Sequence, residues 1–314
     1  MLSANILALI IGFFADMVLG DPRWAYHPVR LIGNAVSLLE RYIYRRGNFI
    51  EGVLLLLSAL LIVGGAYIAI LVALWHISYP AYIAASAFGV WVGISVKDMK
   101  DEVRPVISAL EANDLPEARK KISLLVSRDT KDMKSEKIAS SAIETVGENF
   151  TDAVISPIFY ATLFGGAGAI IFKVVSTLDS MVGYRNSRYE RFGTASARMD
   201  DLLGFIPARL SIIPIMFGAI LAGESPMGAW FCYWDHRKDH ASPNSAHSIS
   251  AFAGALKVRL GGATSYGGVV YDKAVIIGGE RPLTAARVSH ALTLYDDSAF
   301  FAVAIAILFL YIMQ

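Results

Sequence analysis

The chain has 314 residues, 55% hydrophobic and 18% charged, with a mean hydropathy of +0.51; average soluble domains carry about a quarter charged residues. A formal net charge of +1 gives no global electrostatic case for a nucleic-acid partner. The single cysteine, Cys232, excludes an internal disulfide and any cysteine-based metal cluster.

A membrane-crossing helix needs roughly 20 mostly apolar residues. Leu2–Leu19 is the first such run, with Asp16 near its end. It lacks the basic start and small-residue cleavage site of a secretory signal, so it is expected to be retained as a span. Gly20-Asp21-Pro22-Arg23-Trp24 and His27-Pro28-Val29-Arg30 follow. Trp24 and Tyr26 suit interfacial anchoring, while Asp21, His27 and Arg30 are candidates for the polar wall of a site at the membrane surface. Val53–Trp75 carries no charge and is the clearest span; Tyr79–Val96 comes after a very short connection.

Asp114-Leu-Pro-Glu117 reads as a helix start: Asp at the cap, Pro in the first turn, an acidic side chain near the positive end of the dipole. Ile122, Leu125 and Val126 then share one helical face, and a second helix is expected from about Ser135 to Ser156. Ala153–Phe172 is apolar but contains Pro157 and the Gly165-Gly166-Ala167-Gly168 run; Leu203–Ala222 contains Pro207, Arg209 and Pro214. Such breaks suit re-entrant or protein-buried segments. Ala299–Met313 closes the chain as a short span, accommodated by slight thinning of the bilayer. No β-type alternation of useful length, internal repeat or low-complexity tract is present.

The basic residues place these runs. Of 28 Lys and Arg, residues 20–50 hold five and residues 97–152 hold ten, whereas the 76–78 connection has none. The positive-inside rule puts 20–50 and 97–152 in the cytosol. The simplest arrangement also keeps 153–172 and 203–222 from crossing. The expected fold is an all-α integral membrane protein forming a single multi-pass domain. It has about four full spans near 2–19, 53–75, 79–96 and 299–313, two Pro/Gly-interrupted re-entrant or buried helical segments, and a large cytosolic helical and loop block over 97–298.

Four polar constellations carry possible chemistry. Glu144, Glu148 and Asp152 recur every four residues, so they drift only about 40° per step and share a helix face. Three carboxylates so packed repel unless a cation joins them. Mg²⁺ carrying phosphate suits such oxygen ligands, and a solvated helix face is the competing reading. Asp179 to Asp201 interleaves Arg185, Arg188, Arg191 and Arg198 with Asp179, Asp200 and Asp201. Arginine forks match phosphate or carboxylate, although an amphipathic loop with local ion pairs has the same composition. The stretch around Asp21, His27 and Arg30 is the third. His240-Ala-Ser242-Pro243-Asn244 with the glycine-rich 260–268 segment is the fourth. No GxxxxGK[ST], HExxH, GxSxG or CxxC occurs, so any ATP site is not a P-loop.

Taken in order, these segments resemble one family. GDPRWAYHPVRLIG (20–33), SRDT (127–130), ETVGENFTDAVISP (144–157), TLDSMVGYRNSRYERFGTASARMDDLLGFIPARL (177–210), SPN (242–244) and GALKVRLGG (254–262) are similar to the CobD/CbiB membrane proteins of cobalamin biosynthesis, the adenosylcobinamide-phosphate synthases. Ser245-Ala246-His247 depart from the family's usual glycine-containing turn and Trp-Pro pair. The resemblance implies an ATP- and Mg²⁺-dependent amide ligation of adenosylcobyric acid with aminopropanol or its O-phosphate, at the cytosolic side of the cell membrane. It implies Glu144, Glu148, Asp152 and Asp179 as holders of Mg²⁺-ATP, and Arg185, Arg188, Arg191 and Arg198 as phosphate ligands. Asp21, Arg30 and Asn244 become further substrate contacts, Asp200 or Asp201 positions the amine, and His27 is a candidate base. Later membrane enzymes of the same pathway are expected partners. The competing readings are a metal-dependent intramembrane transferase and a non-catalytic corrinoid scaffold or transporter.

Overall fold

The computed structural model describes residues 2–20, 28–184 and 186–314. Asp21, His27 and Arg185 therefore lie outside the described residues. Helices dominate: α1 (Leu2–Leu19), α2 (Pro28–Ile43), α3 (Phe49–Ala59), α4 (Gly65–Ile77), α5 (Tyr79–Gly93), α6 (Val96–Glu111), α7 (Leu115–Ile122), α8 (Ser135–Phe150), α9 (Ser156–Val182), α10 (Thr194–Leu210), α11 (Ile212–Leu221), α12 (Pro226–His236), α13 (Ser245–Leu256) and α14 (Ala285–Ile312). Wide π-type turns, Leu60–Gly64 and Thr151–Ile155, join α3 to α4 and α8 to α9. Four three-residue strands, β1 (Arg259–Gly261), β2 (Thr264–Tyr266), β3 (Val269–Tyr271) and β4 (Val275–Ile277), form two antiparallel pairs, β1 with β4 and β2 with β3.

Five helical runs are long and apolar enough to cross a membrane: Leu2–Leu19, Phe49–Ile77, Tyr79–Glu111, Ser135–Val182 and Ala285–Ile312. Three of the four expected spans fall within these, and the fourth, 299–313, runs one residue past Ala285–Ile312. The fifth, Ser135–Val182, contains the stretch expected not to cross. The other interrupted stretch is a bent pair, Thr194–Leu210 and Ile212–Leu221, turned by 44°.

The chain divides into two compact units. The first comprises Met1–Ser95, Ser156–Gly204 and Val303–Gln314. Its core gathers Val36, Leu55, Val92, Val174, Leu178 and Phe192 from α2, α3, α5, α9 and the turn before α10. Only 22% of the most apolar window of Phe49–Ile77 is buried, and Leu61 and Ile77 stand well out, as lipid-facing side chains do. Gly89 and Gly93 on α5 form a small-xxx-small pair that brings α5 against α9. The glycine run does interrupt α9: Gly165 sits at φ 62°, ψ −153°, a conformation open to glycine. The backbone freed there is satisfied, since Gly166 N–H donates to Ser86 Oγ at 2.8 Å. An apolar segment can tolerate a break only where protein supplies such a partner.

The second unit comprises Val96–Ile155 and Phe205–Ala302. Asp114 caps α7 as expected, accepting from Glu117 N–H at 3.1 Å. The helix stops at Ile122, however, so Leu125 and Val126 follow in turns rather than on its face. The core packs α8 against α13, with Phe150 in ring contact with Phe252 and Tyr295. All twelve residues of α13 are buried, which its small side chains permit.

Candidate functional site

The second unit contains a cavity of about 630 Å³ lined by α8, the Leu125–Arg128 turn, the 238–241 segment and the β1–β4 region. Glu144 and Glu148, one turn apart on α8, both face it, as do Thr145 and Asn149. Glu144 does not stand ready for a metal. Its Oε2 meets Arg128 Nη1 at 2.9 Å, with both side chains about 10% exposed. Its Oε1 accepts from Ser140 Oγ at 2.8 Å and from Gly261 N–H at 3.1 Å. A buried carboxylate so surrounded acts as a structural anion tying α8, the SRDT turn and β1 together. Glu148 keeps more freedom, accepting from Ser245 Oγ at 3.0 Å at the start of α13.

Cations and a histidine complete the wall. Lys238, Lys273 and His240 face the same space as Asp239 and Asp272. Ser242 N–H donates to His240 Nδ1 at 3.1 Å, which leaves the ring proton on Nε2. Burial pushes the His240 pKa down, against the pull of Glu148, so the ring is a neutral donor near pH 7. Cys232 is buried and its thiol is pushed up to about 12 by that burial, so it is no nucleophile.

Asp129, next to the paired arginine, braces the glycine turn between β2 and β3. Its carboxylate accepts from Ser265 Oγ at 2.6 Å, Gly268 N–H at 2.8 Å and Gly267 N–H at 3.1 Å. The Ser265 hydroxyl and these two N–H groups hold its carboxyl below the usual range.

The first unit holds the other expected acids. Asp179 near the end of α9 and Asp200 and Asp201 on α10 lie close enough to repel one another. Asp200 Oδ1 is buried with no hydrogen-bond partner among the described residues. Arg188 is already engaged, donating to Glu40 at 2.8 Å over the Tyr44 ring. Arg191, Arg198 and Arg30 are exposed. In the second unit Asn244 is 5% exposed at the start of α13, and Asp152 falls in the π-type turn, outside the cavity lining. Among the described residues no group of three or more His, Cys, Asp or Glu side chains is placed to hold a metal ion. Of the carboxylates expected as one metal set, Glu144, Glu148 and Asp152 belong to the second unit and Asp179 to the first. Arg128, Lys238 and Lys273 had no assigned role in the sequence; the SRDT segment was the pointer to Arg128, and the constellation at His240–Asn244 named His240 without giving it a role.

The family described as CobD/Cbib protein matches residues 9–295. A cobalamin biosynthesis protein CobD from Pelobacter propionicus is 42% identical over 281 residues, covering 88% of this chain and 86% of that protein. The protein of the same name from Geobacter metallireducens is 40% identical over 279 residues, 88% of each chain. That from Clostridium perfringens is 33% identical over 311 residues, 98% of this chain and 99% of its own. No solved structure matches the chain. The chain belongs to the CobD/CbiB family of cobalamin biosynthesis proteins.

Proposed function

We propose that this chain is an ATP-dependent carbon–nitrogen ligase, joining a propionate carboxyl of adenosylcobyric acid to aminopropanol or its O-phosphate. The supporting observation is the second-unit cavity, where Glu148, Lys238, His240 and Lys273 face one nucleotide-sized space. A carboxylate is a poor acyl donor. Its oxygen therefore attacks the terminal phosphorus of ATP, releasing ADP and leaving an acyl phosphate. The amine nitrogen attacks the acyl carbon, phosphate departs with the acyl oxygen, and the nitrogen loses a proton. Lys238 and Lys273 offset phosphate charge, His240 Nε2–H donates to developing negative charge, and Glu148 can accept the amine proton. The donor set fits Mg²⁺ that arrives with phosphate, which needs only one or two protein carboxylates. Glu148 would supply one of them, and the ion would neutralise phosphate charge. His27 remains a proposed base, and Asp200 or Asp201 a proposed positioning group for the amine.

The test is purified, detergent-solubilised protein with adenosylcobyric acid, Mg²⁺-ATP and either amine, read by mass spectrometry. The expected result is an ATP-dependent gain of one amide-linked amine. Glu148→Gln is expected to lower kcat by about 10²-fold or more, the scale of a lost proton-transfer group, with its melting unchanged. No mass gain with either amine in folded, ATP-binding protein would reject the ligase.

We further propose that this cavity lies on the cytosolic side, with α9 too broken at Gly165 to serve as an ordinary span. Tyr184 is 57% exposed and Cys232 is buried, so a Tyr184→Cys protein carries one reactive thiol. An impermeant maleimide is expected to label it only after permeabilisation. Labelling in intact cells would mean that Ser135–Val182 crosses.

A further inference from the structure

The β2–β3 pair is built to move as one piece. Its two-residue turn, Gly267-Gly268, has φ of 57° and 82°, the conformation a tight hairpin needs. The strands pair in register, with Thr264 opposite Tyr271 and Tyr266 opposite Val269. Lys273 Nζ reaches back to Tyr266 OH at 2.8 Å, and the Tyr266 and Tyr271 rings meet edge to face at 5.8 Å. Little of this piece is packed. Val269, Val270 and Tyr271 are all more than half exposed, and of the six strand residues only Thr264 is buried. A two-stranded hairpin is marginally stable alone, so groups outside the pair must hold it.

Its root and its tip are held differently. At the root, Gly261 is pinned to α8 through both backbone groups: its N–H donates to Glu144 Oε1 at 3.1 Å and its carbonyl accepts from Lys137 Nζ at 2.8 Å. Val275, opposite Gly261, leads into the buried Ile276. Between these fixed points and the hairpin lies Gly262, at φ 76°, whose N–H reaches Ala274 O only at 3.4 Å. A Cβ on Gly262 would meet only Val275 Cγ2, at 3.9 Å, so the backbone has room to turn there. At the tip the holding group is an exposed side chain. The Asp129 carboxylate takes the Ser265 hydroxyl and the Gly267 and Gly268 N–H groups, and Asp129 N–H donates to Ser265 O at 2.8 Å. The hairpin also stands between two spaces. Tyr266, Asp272 and Lys273 line the main cavity, whereas Thr264, Ser265, Gly267 and Gly268 line a second one of about 990 Å³, and Arg128 lines both.

We infer that the β2–β3 pair is a flap hinged at Gly262 and Ala274 and latched by Asp129, which makes Asp129 a positioning residue for Tyr266 and Lys273 in the main cavity. With the latch closed, the Lys273 ammonium stands in the cavity wall, where the proposed ligation needs phosphate charge offset. With the latch released, Tyr266 and Lys273 leave the wall together, because they are bonded to each other, and the partition between the two cavities opens. A ligand that meets Lys273 favours the closed state through that contact, as lids complete a site around substrate. The role of Lys273 toward phosphate rests on the ligase reading, whereas the hinge and the latch do not.

The experiment is double electron–electron resonance on the full-length protein in detergent. Spin labels go on Leu124→Cys and Val270→Cys, both exposed positions, while Cys232 is buried out of reach. With Asp129 in place, one narrow distance is expected. Asp129→Ala is expected to add a second population with the Tm unchanged, and saturating Mg²⁺-ATP is expected to draw that population back to the first. If the latch loss leaves about a tenth of the molecules closed, the KM for ATP rises about tenfold, while kcat at saturating ATP stays near that of the parent. A merely structural loss would instead lower Tm and kcat and would not be reversed by ATP. An unchanged distance distribution in folded Asp129→Ala would overturn the latch. A second population that persists with ATP bound would overturn the positioning role. If ATP binds neither protein while Asp129→Ala still opens the hairpin, the flap stands and the ligase reading falls.

Discussion

Arg128→Ala should cost the second unit about 3–5 kcal/mol, because it strands the Glu144 carboxylate in a buried position. The pair lies at 2.9 Å with both side chains about 10% exposed, so water cannot replace the lost guanidinium cheaply. At about 2–4 °C per kcal/mol for a body of this size, the apparent Tm in detergent should drop by roughly 10 °C. Glu144→Ala should be nearly as harmful, since it strands Arg128 and also removes the acceptor for Ser140 Oγ and Gly261 N–H. The double substitution Arg128→Met/Glu144→Leu should be milder than either single alanine, because removing both charges together is often close to neutral. It should still fall short of the parent by about 1–3 kcal/mol, the cost of the Gly261 N–H left without a partner. Were Arg128→Ala to melt like the parent while abolishing turnover, the pair would be catalytic and not structural.

This pair also shows where sequence reasoning stops. The Glu144–Glu148 face was legible because four-residue spacing on a helix is local geometry. The partner that decides what Glu144 does is 16 residues away, beyond the turns after Ile122, and no periodicity links them. Asp152 illustrates a second limit. The π-type turn at Thr151–Ile155 advances less per residue than an α-helix, so the third carboxylate leaves the line set by the first two. The spans were readable because Val53–Trp75 and its companions are apolar over bilayer length, and the Gly165 break was readable as a glycine run. The two strand pairs were not: strands of three residues are too short to show a period of two, and β3 is exposed on both faces. What ties the β2–β3 pair to the segment after Arg128 is Asp129 bonding to the Gly267-Gly268 turn, a contact across more than a hundred residues.

Gly254→Val should destabilise the same unit by at least about 3 kcal/mol, at or above the upper end for overpacking. A Cβ at Gly254 would fall on the Gly228 carbonyl and on Cys232 Cβ, while a Cβ at Gly228 would fall on the Gly254 carbonyl. The collision is therefore with the backbone of α12, which cannot swing aside as a flexible side chain can. Gly278 closes the space from a third direction, its own hypothetical Cβ meeting the Ala253 carbonyl. Gly65→Ala is the control, because a Cβ there meets only Leu61 Cδ1, at 3.8 Å, and it should be neutral or slightly stabilising. The consequence should reach the chemistry. The helix that carries Gly254 begins at Ser245, whose hydroxyl holds Glu148 at 3.0 Å, and α13 has no exposed side along which to shift. Displacing α13 should thus lower both Tm and the kcat of the proposed ligation, whereas Glu148→Gln should lower kcat alone. A Gly254→Val protein that kept its Tm would show that α12 and α13 can separate, and the close crossing would lose its role in holding Glu148 toward the cavity.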